Sequence, residues 1–392
     1  MHLVTLTPFL SRNAGGLFPL IRGLNQALLS EDLAIDVLGM ADVYSAEDGD
    51  SWQPLKLQAF ATKGPKSFSY APGMASALRQ LKPDIVHSHG LWLYHSYLNH
   101  GWSTKRALPY LISPQGMLDP WALRNVSWKK RLAAKIYEDR HLRGATCLHA
   151  VSVAEAEAIR AYGLRNPIAL IPNAIELPTP SGKQVPSPWP EDFQDGQQVM
   201  LFLGRLHPKK GLVPLINAWA LLQQELPEKA GGWRLAIAGW DENNHRAALE
   251  QQVAELNLAD RIHFCGPLHG AAKEAAFRHA DAFVLSSFSE GMPAAVLEAM
   301  AYELPVLMSP ACNFPEGFAA GAALSVDPTT ESVAAGLRAF LQLPPEEQLA
   351  MGRRGYTLVS EQFTWSTLAP RMRAVYEWAL GGGPDPADLQ RV

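Results

Sequence analysis

Short apolar runs alternate with stretches of helical periodicity along most of the chain. In the first half the runs are rich in Val, Ile and Leu, and they are LVTLT (3–7), LAIDVLG (33–39), DIVHSH (84–89), PYLIS (109–113), TCLHAVS (146–152) and IALIP (168–172). Parallel strands that are buried on both faces have this nearly continuous apolar character. The pattern therefore predicts βαβ units and a parallel sheet.

The alternation stops and then restarts near the middle of the sequence. Between Glu176 and Gln198 the chain is dense in Pro and polar residues and has neither period, which is typical of a linker. Further strands follow at QVMLFLG (198–204), WRLAIAG (233–239), RIHFCG (261–266), DAFVLSS (281–287) and LPVLMS (304–309). We expect two α/β domains at 1–180 and 199–364, a linker at 181–198, and a last helical segment at 365–392 that packs on either domain.

Composition and charge narrow the kinds of molecule that we expect the protein to bind. The chain has 392 residues, 47% of them hydrophobic, and a formal net charge of −4, so it lacks the basic surplus of a nucleic-acid-binding protein. Its three cysteines have no disulfide or zinc spacing, and no metal or cofactor site is predicted. The sequence shows neither a signal peptide nor a membrane-spanning apolar stretch, so we expect a cytoplasmic protein.

Two glutamates follow the fourth strand of the second domain. Glu290 lies in the loop, Pro293 suits the first helical position, and Glu298 lies more than a turn inside the helix. The N–H groups at a helix start suit an anion such as a diphosphate. Glu298 falls on a helix that is apolar almost all round, which is a poor place for a charge without a function. Two separated carboxylates can accept hydrogen bonds from sugar and ribose hydroxyls.

A basic loop follows the first strand of the same domain. In LFLGRLHPKKGL, Arg205, Lys209 and Lys210 lie between Gly204 and Gly211. Such a cluster can hold a pyrophosphate and stabilise it as a leaving group. The second domain is therefore predicted to bind a sugar and a diphosphate together.

These two segments resemble the family-4 retaining glycosyltransferases. FSEGMPAAVLEAM is similar to their E-x7-E segment, and GRLHPKKG is similar to their phosphate loop. The resemblance implies the GT-B fold, two facing Rossmann-like domains with a cleft between them. It implies that Glu290 contacts the donor sugar, that Glu298 contacts the ribose, and that Arg205 and Lys210 contact the diphosphate of a UDP-, GDP- or ADP-sugar. The implied donor-binding set further includes Gly291, Met292, Pro293, Gly204, Lys209, Leu268, Gly15 and Gly16.

The first domain supplies fewer candidates. His87 and His89 are two residues apart on one strand, so they point to the same side, and the family resemblance implies that His89 reaches the donor sugar. The segment that begins ISPQGMLD resembles a subset of bacterial enzymes that build surface polysaccharides. By that resemblance the acceptor-side candidates are Ser113, Gln115 and Asp119, with Gln115 where His or Arg is expected.

The helix after this segment is basic. It carries Lys129, Lys130, Arg131 and Lys135 near Trp121 and Trp128. Such a surface can contact anionic lipid headgroups on the inner membrane face, or it can be an ordinary solvated helix face; the sequence leaves both interpretations open.

The predicted activity is transfer of a hexose-type sugar, with retention and without a metal ion, to a saccharide, lipid-linked or small-molecule acceptor. A GT-B-fold epimerase or phosphorylase and a non-catalytic sugar-nucleotide-binding protein remain alternatives. An NAD-dependent oxidoreductase is disfavoured because no strand is followed by a GxGxxG loop with an acidic residue about 20 positions on.

Overall fold

The protein forms two compact units. The computed structural model describes residues 1–65, 67–124, 128–179, 185–190, 196–242 and 244–391, and the side chains of these except at 124 and 128–130. Unit 1 comprises Met1–Glu176 together with Thr364–Val392, and unit 2 comprises Leu177–Phe363. The last segment of the chain therefore returns to the unit in which the chain began.

Unit 1 is built on an eight-stranded sheet. Its strands are β1 (His2–Phe9), β2 (Ala34–Met40), β3 (Lys56–Phe60), β4 (Ile85–His89), β5 (Tyr110–Ser113), β6 (Cys147–Ala150), β7 (Ile168–Leu170) and β14 (Leu389–Gln390). Their order is β14-β7-β6-β5-β4-β1-β2-β3, and every pair is parallel except β14 with β7. The parallel sheet predicted from the apolar runs is confirmed.

Helices cover both faces of this sheet. They are α1 (Leu17–Leu29), α2 (Ser45–Asp48), α3 (Pro72–Leu81), α4 (Tyr94–Arg106), α5 (Pro120–Arg124), α6 (Trp128–Ala133), α7 (Asp139–Gly144), α8 (Val153–Ala161) and α17 (Trp365–Ala379). One apolar cluster includes α3 and α4, and the other joins α1 to α17 through Ile21, Leu24, Leu368 and Met372. The closing helix is thus part of the core of unit 1.

Unit 2 is a second parallel α/β unit. Its strands are β8 (Gln198–Leu203), β9 (Trp233–Ala238), β10 (Ile262–Gly266), β11 (Ala282–Leu285), β12 (Val306–Met308) and β13 (Ala323–Ser325), in the order β10-β9-β8-β11-β12-β13. Its helices are α9 (Leu212–Glu225), α10 (Pro227–Ala230), α11 (His245–Glu255), α12 (Gly270–Arg278), α13 (Ala294–Ala301), α14 (Pro315–Ala319), α15 (Thr330–Gln342) and α16 (Pro345–Gln362).

Several details differ from the sequence-based expectation. The apolar runs do not identify β3, β13 and β14, because β3 is a partly exposed edge strand, β13 is short and partly exposed, and β14 has only two residues. The basic helix expected after the ISPQGMLD segment is divided, in its described part, into α6, a π-helical turn at Ala134–Glu138, and α7. No helix among the described residues is long and apolar enough to cross a membrane.

Described parts of the expected linker lie against unit 2. The Trp189 indole donates to the carbonyl of His279 at 2.8 Å, and the carbonyl of Val185 lies 2.7 Å from His279 Nε2. Arg278 bonds the carbonyl of Thr179 at 2.8 Å. The remainder of the segment, 180–184 and 191–195, lies outside the described residues.

We expect Gly23→Ala to destabilise unit 1 by about 1–3 kcal/mol, the cost of overpacking a close-packed contact. A Cβ at Gly23 would lie 2.2 Å from the Trp365 indole nitrogen, where α1 meets α17. Urea unfolding measures the change. Gly101→Ala in α4 is the control, because nothing lies within 4 Å of its added Cβ, and it should raise stability slightly. Equal behaviour of both variants would contradict this contact.

Candidate functional site

Four loops with unusual residues lie side by side in unit 2. They follow β10, β9, β8 and β11, which are consecutive neighbours in the sheet. Because all four strands are parallel, their carboxyl ends meet at one edge, where open α/β sheets bind ligands. The topology therefore brings together the loop with Leu268, a loop with Glu242, the basic loop and the Glu290 loop.

The basic loop is held tightly against its neighbours. After β8 it forms a short 3-10 turn over Pro208–Lys210 and ends at Gly211, whose φ is +70°. A Cβ at Gly211 would lie 2.0 Å from the carbonyl oxygen of Ser286, so this position requires glycine. At Gly204 an added Cβ would make only ordinary van der Waals contacts. Gly239 is the position that requires glycine, because its added Cβ would lie 1.7 Å from the carbonyl oxygen of Gly204.

A buried ion pair joins the basic loop to the Glu290 loop. Lys210 Nζ donates to Glu290 Oε1 at 2.5 Å, and the Ser287 hydroxyl donates to the same oxygen at 2.5 Å. Burial alone would raise the pKa of Glu290, but the charges of Lys210 and Lys209 and the two hydrogen bonds hold that pKa below its usual value. Glu290 is therefore an anion, and Lys210 is its counter-ion.

The backbone on either side of Glu290 is fixed by a residue that the sequence did not identify. Asn313 Nδ2 donates to the carbonyl of Glu290 at 2.6 Å and to that of Gly291 at 3.2 Å. Met292 is buried, and α13 begins at Ala294 with Pro293 just before it, one position later than expected. No described side chain caps this helix, so the N–H groups of its first turn have no side-chain capping partner.

Glu298 is also paired. It lies in the second turn of α13, and its Oε1 accepts a hydrogen bond from Lys273 Nζ on α12 at 2.7 Å. Both side chains are partly exposed, so a ligand can reach them. Leu268, on the neighbouring loop between β10 and α12, is half-buried.

Arg205 forms an ion pair with a different residue, outside the Lys210–Glu290 pair. Arg205 Nη1 lies 2.6 Å from Glu242 Oε2, on the loop after β9. About a third of each side chain is exposed, so this pair is weak and can exchange with a ligand.

The glycine loop of unit 1 follows β1, whose neighbour in the sheet is β4. Gly15 has a φ of +62°, which favours glycine, whereas Gly16 has ordinary helical angles and open space around its Cβ position. The loop leads into α1 at Leu17. His89, at the end of β4, is thereby on the strand beside this loop.

His89 belongs to a buried cluster of imidazoles. Its ring lies 4.1 Å from that of His87, centroid to centroid, so both rings occupy one side of β4. Burial, and secondarily the neighbouring His149 and His95, lowers the pKa of His89 to about 3. His89 is therefore neutral at physiological pH. Its Nε2 has no hydrogen-bond partner among the described residues, and it lines a small cavity with Gln115 and Asn173.

The three acceptor-side candidates occupy different environments. Ser113 is fully buried and its hydroxyl bonds His87 and His149, so it cannot also meet an acceptor. Asp119 accepts from the backbone of Trp121 at 2.7 Å and starts α5. Gln115 has a φ of +57°, and its amide nitrogen lies 3.5 Å from His89 Nδ1.

The basic helix is only partly described. The side chains of Trp128, Lys129 and Lys130 lie outside the described residues. Arg131 and Lys135 are exposed, and beside them Leu132 and Ile136 are exposed by 50% and 56%.

The sequence missed the partners that orient its candidates: Lys273, Ser287, Asn313 and Glu242. None of these residue types has a local signal, because each meets its partner only through the sheet topology. Within the described part of the chain, no group of three or more His, Cys, Asp or Glu side chains is arranged to hold a metal ion.

Lys210→Met should lower the free energy of unfolding at pH 7 by about 3 kcal/mol, because it leaves Glu290 buried without its counter-ion. In the wild type the lowered pKa of Glu290 means that the ionised carboxylate stabilises the fold above about pH 4.3, and this contribution is lost as the pH falls. Denaturant unfolding at pH 7 and pH 4 measures both effects.

The double variant Lys210→Met, Glu290→Gln is expected to recover most of the loss, since no charge remains buried. Arg338→Met, which breaks the exposed pair with Glu225, is the matched control and should cost under about 1 kcal/mol. A double variant as unstable as the single one would refute the coupling.

Comparison with known proteins agrees with the geometry. The family described as "Glycosyl transferase 4-like domain" matches residues 23–174, and "Glycosyl transferases group 1" matches residues 186–358. A D-inositol 3-phosphate glycosyltransferase of Kineococcus radiotolerans is 28% identical over 329 residues, which are 77% of this chain and 74% of the relative. The GDP-mannose:cellobiosyl-diphosphopolyprenol alpha-mannosyltransferase of Xanthomonas campestris is 24% identical over 266 residues, 66% of this chain and 63% of that protein.

Solved structures with the same fold cover nearly the whole chain. Sucrose-phosphate synthase from Thermosynechococcus elongatus has a TM-score of 0.74 at 18% identity and covers 97% of this chain and 100% of its own. The Anabaena protein HepE, in complex with UDP and glucose, has a TM-score of 0.76 at 18% identity, with 96% and 100% covered. These similarities confirm the expected fold class, and the chain belongs to the family-4 glycosyltransferases of the GT-B fold.

Proposed function

We propose that this glycosyltransferase moves a hexose from a nucleotide-sugar donor to a saccharide or lipid-linked acceptor, with retention of anomeric configuration and without a metal ion. The observation that carries the proposal is the set of ion pairs at one edge of the unit 2 sheet. Lys210–Glu290 and Lys273–Glu298 place two carboxylates and two ammonium groups beside the start of α13. A nucleotide-sugar needs cationic groups for its diphosphate and carboxylates for the hydroxyls of its sugar and its ribose.

Each group takes a separate part of the donor. The N–H groups at the start of α13, with Lys210 and Arg205, hold the diphosphate, so Arg205 exchanges Glu242 for a phosphate. Glu298 accepts from the ribose hydroxyls, and Lys273 keeps its carboxylate in place. Glu290 accepts from a sugar hydroxyl. The loop with Leu268 lies beside the nucleobase.

Retention is supported by the lack of a free base or nucleophile among the candidate site residues that the structure describes. Glu290 is tied to Lys210 and Ser287, Glu298 is tied to Lys273, and the low pKa of His89 makes it a weak base. The acceptor oxygen therefore attacks on the face that the leaving group occupies. The bond from the anomeric carbon to the phosphate oxygen breaks, and that oxygen takes the acceptor's proton. Positioning and fixed charge supply the rate enhancement.

The donor nucleotide belongs to the small group UDP, GDP and ADP. HepE was crystallised with UDP-glucose and the Xanthomonas relative is named for GDP-mannose, so UDP- and GDP-sugars are the first candidates, with ADP-sugars next. The thermal stabilisation that each candidate donor gives identifies the true donor, since a ligand at 100 times its dissociation constant adds about 2.7 kcal/mol to the free energy of unfolding.

With that donor, Glu298→Gln should raise the donor KM about 10- to 100-fold, because a charged acceptor of ribose hydroxyls is lost. Glu290→Gln should lower kcat about 100-fold with little change in KM, because sugar positioning is lost. Glu303→Gln, an exposed glutamate just after α13, is the control. Steady-state kinetics are measured in excess EDTA, and NMR assigns the anomer formed.

Four results would contradict the proposal. Loss of activity in EDTA would show a metal requirement, and an inverted product would exclude retention. Conversion of the donor sugar to its epimer without formation of a glycoside would indicate an epimerase. Binding of a donor without turnover would leave only a sugar-nucleotide-binding protein.

We further propose that a face of unit 1 rests on an anionic membrane, which suits a lipid-linked acceptor. The face contains Tyr97, Leu132 and Ile136, all at least half exposed, and Tyr97 meets Tyr137 with ring centroids 5.9 Å apart. Residues 91–144 contain nine Lys and Arg against three Asp and Glu, in a chain whose net charge is −4. Exposed apolar side chains in a segment with an excess of cationic residues suit a negatively charged bilayer surface.

Co-sedimentation with phosphatidylglycerol–phosphatidylcholine vesicles tests this face. The double variant Leu132→Glu, Ile136→Glu should bind at least about tenfold more weakly, since two apolar anchors are lost, and 0.5 M salt should weaken wild-type binding. Leu349→Glu, at an equally exposed leucine of unit 2, is the control. Equal wild-type binding to pure phosphatidylcholine would refute an anionic surface, and an unaffected double variant would refute this face.

A further inference from the structure

A continuous line of hydrogen bonds crosses unit 1 from its last helix to the end of β7. Tyr376, fully buried on α17, lies 2.8 Å from His87 Nδ1, and His87 Nε2 lies 2.7 Å from Ser113 Oγ. Ser113 Oγ lies 2.7 Å from His149 Nδ1, and His149 Nε2 lies 2.8 Å from the carbonyl oxygen of Ile171. We call Tyr376, His87, Ser113, His149 and this carbonyl the histidine network.

With His149 neutral, as its lowered pKa of about 4 makes it at neutral pH, the direction of every bond in the network follows from its last member. The carbonyl of Ile171 can only accept, so His149 carries its proton on Nε2 and accepts at Nδ1. Ser113 must then donate to His149 and accept from His87 Nε2. His87 is left with a lone pair on Nδ1, and the Tyr376 hydroxyl donates to it. One arrangement of protons therefore satisfies the whole network.

This arrangement requires both imidazoles to be neutral. A proton added to His149 Nδ1 would face the hydrogen of Ser113, and one added to His87 Nδ1 would face that of Tyr376. Burial lowers the pKa of His149 to about 4 and lowers that of His87 well below its ordinary value. Burial and hydrogen bonding thus favour the same protonation state.

His89 depends on the network through its contact with His87. The two rings are inclined by 34° at a centroid distance of 4.1 Å. The polar contacts of His89 itself are poor, since Gln115 lies 3.5 Å from its Nδ1 and its Nε2 has no partner among the described residues. The plane of the His89 ring is therefore set by the ring packed against it, and that ring is locked at both nitrogens.

We infer that Tyr376 is a positioning residue for sugar transfer, which holds His89 toward the donor by fixing His87 beneath it. The inference rests on the proposed function and on the expectation, implied by the family resemblance, that His89 contacts the donor sugar. It assigns a role to the closing helix beyond packing, because the hydroxyl that completes the network comes from α17.

The test is Tyr376→Phe, which removes only the hydroxyl. Long-range ¹H–¹⁵N spectra of the histidine side chains should show His87 and His149 as neutral Nε2–H tautomers in the wild type. In the variant the His87 Nδ1 signal should move and the His89 signals should shift or broaden. We expect kcat to fall about tenfold while the donor KM stays within about twofold, because misplacement by a fraction of an ångström affects the transition state most.

Tyr110→Phe is the matched control. Tyr110 is also buried, and its hydroxyl donates to the carbonyl of His141 at 2.7 Å, away from the network. Tyr110→Phe loses the same hydroxyl group as Tyr376→Phe. It should therefore change stability by a similar amount but leave the His89 signals and kcat unchanged. Ser113→Ala interrupts the network from the other side of His87. It should reproduce the His89 shifts even if Tyr376→Phe does not fold.

The outcomes separate this inference from the proposed function. His89 signals that are unchanged in Ser113→Ala and in any folded Tyr376→Phe would overturn it, as would shifted signals with a wild-type kcat. If the wild type transfers no sugar from any donor, the proposed function fails and the positioning role for sugar transfer is overturned with it. The spectra then still decide whether Tyr376 and His89 are coupled.

Discussion

The arrangement of the unit 2 site depends on one buried ion pair, Lys210 with Glu290. Removing two charges from water costs several kcal/mol for each ion, and only close contact with further hydrogen bonds offsets that cost. Ser287 donates to the same carboxylate oxygen, and Asn313 fixes the backbone that carries it. The two loops must therefore keep their conformations together. The close approach of Gly211 to Ser286 is what lets the basic loop come near enough.

A second constraint is the return of the last helix to unit 1. Trp365 begins α17 against Gly23 of α1, and Tyr376 lies near the other end of the same helix. The ion pair of Arg371 with Asp388 ties the helix to the segment that forms β14. Without α17 the apolar face of α1 that carries Ile21 and Leu24 would be open to water. The same helix, α17, therefore both completes the apolar core of unit 1 and holds His87 in position.

Sequence periodicity predicted the sheets better than it predicted the contacts within the site. The long apolar runs identified the central strands, because a strand buried on both faces has a local signature. The polar edge strand β3 has none. The motifs brought Lys210 and Glu290 into one site, but they did not indicate that the two side chains bond each other. Ser113 was expected on the acceptor side because of its motif, and the structure instead places it inside the histidine network.

The polar side chains at the strand ends are paired in different ways in the two units. The difference fits the roles proposed for the units. In unit 2 the ends carry ion pairs, and at least Arg205 with Glu242 and Lys273 with Glu298 are exposed enough to rearrange around a charged ligand. In unit 1 the end of β4 is surrounded by neutral imidazoles whose hydrogen bonds have a single consistent direction. A network of that kind cannot exchange partners with an anion without leaving a buried group unpaired. In the proposed function, unit 2 therefore adapts to the donor, while unit 1 keeps His89 in a fixed orientation.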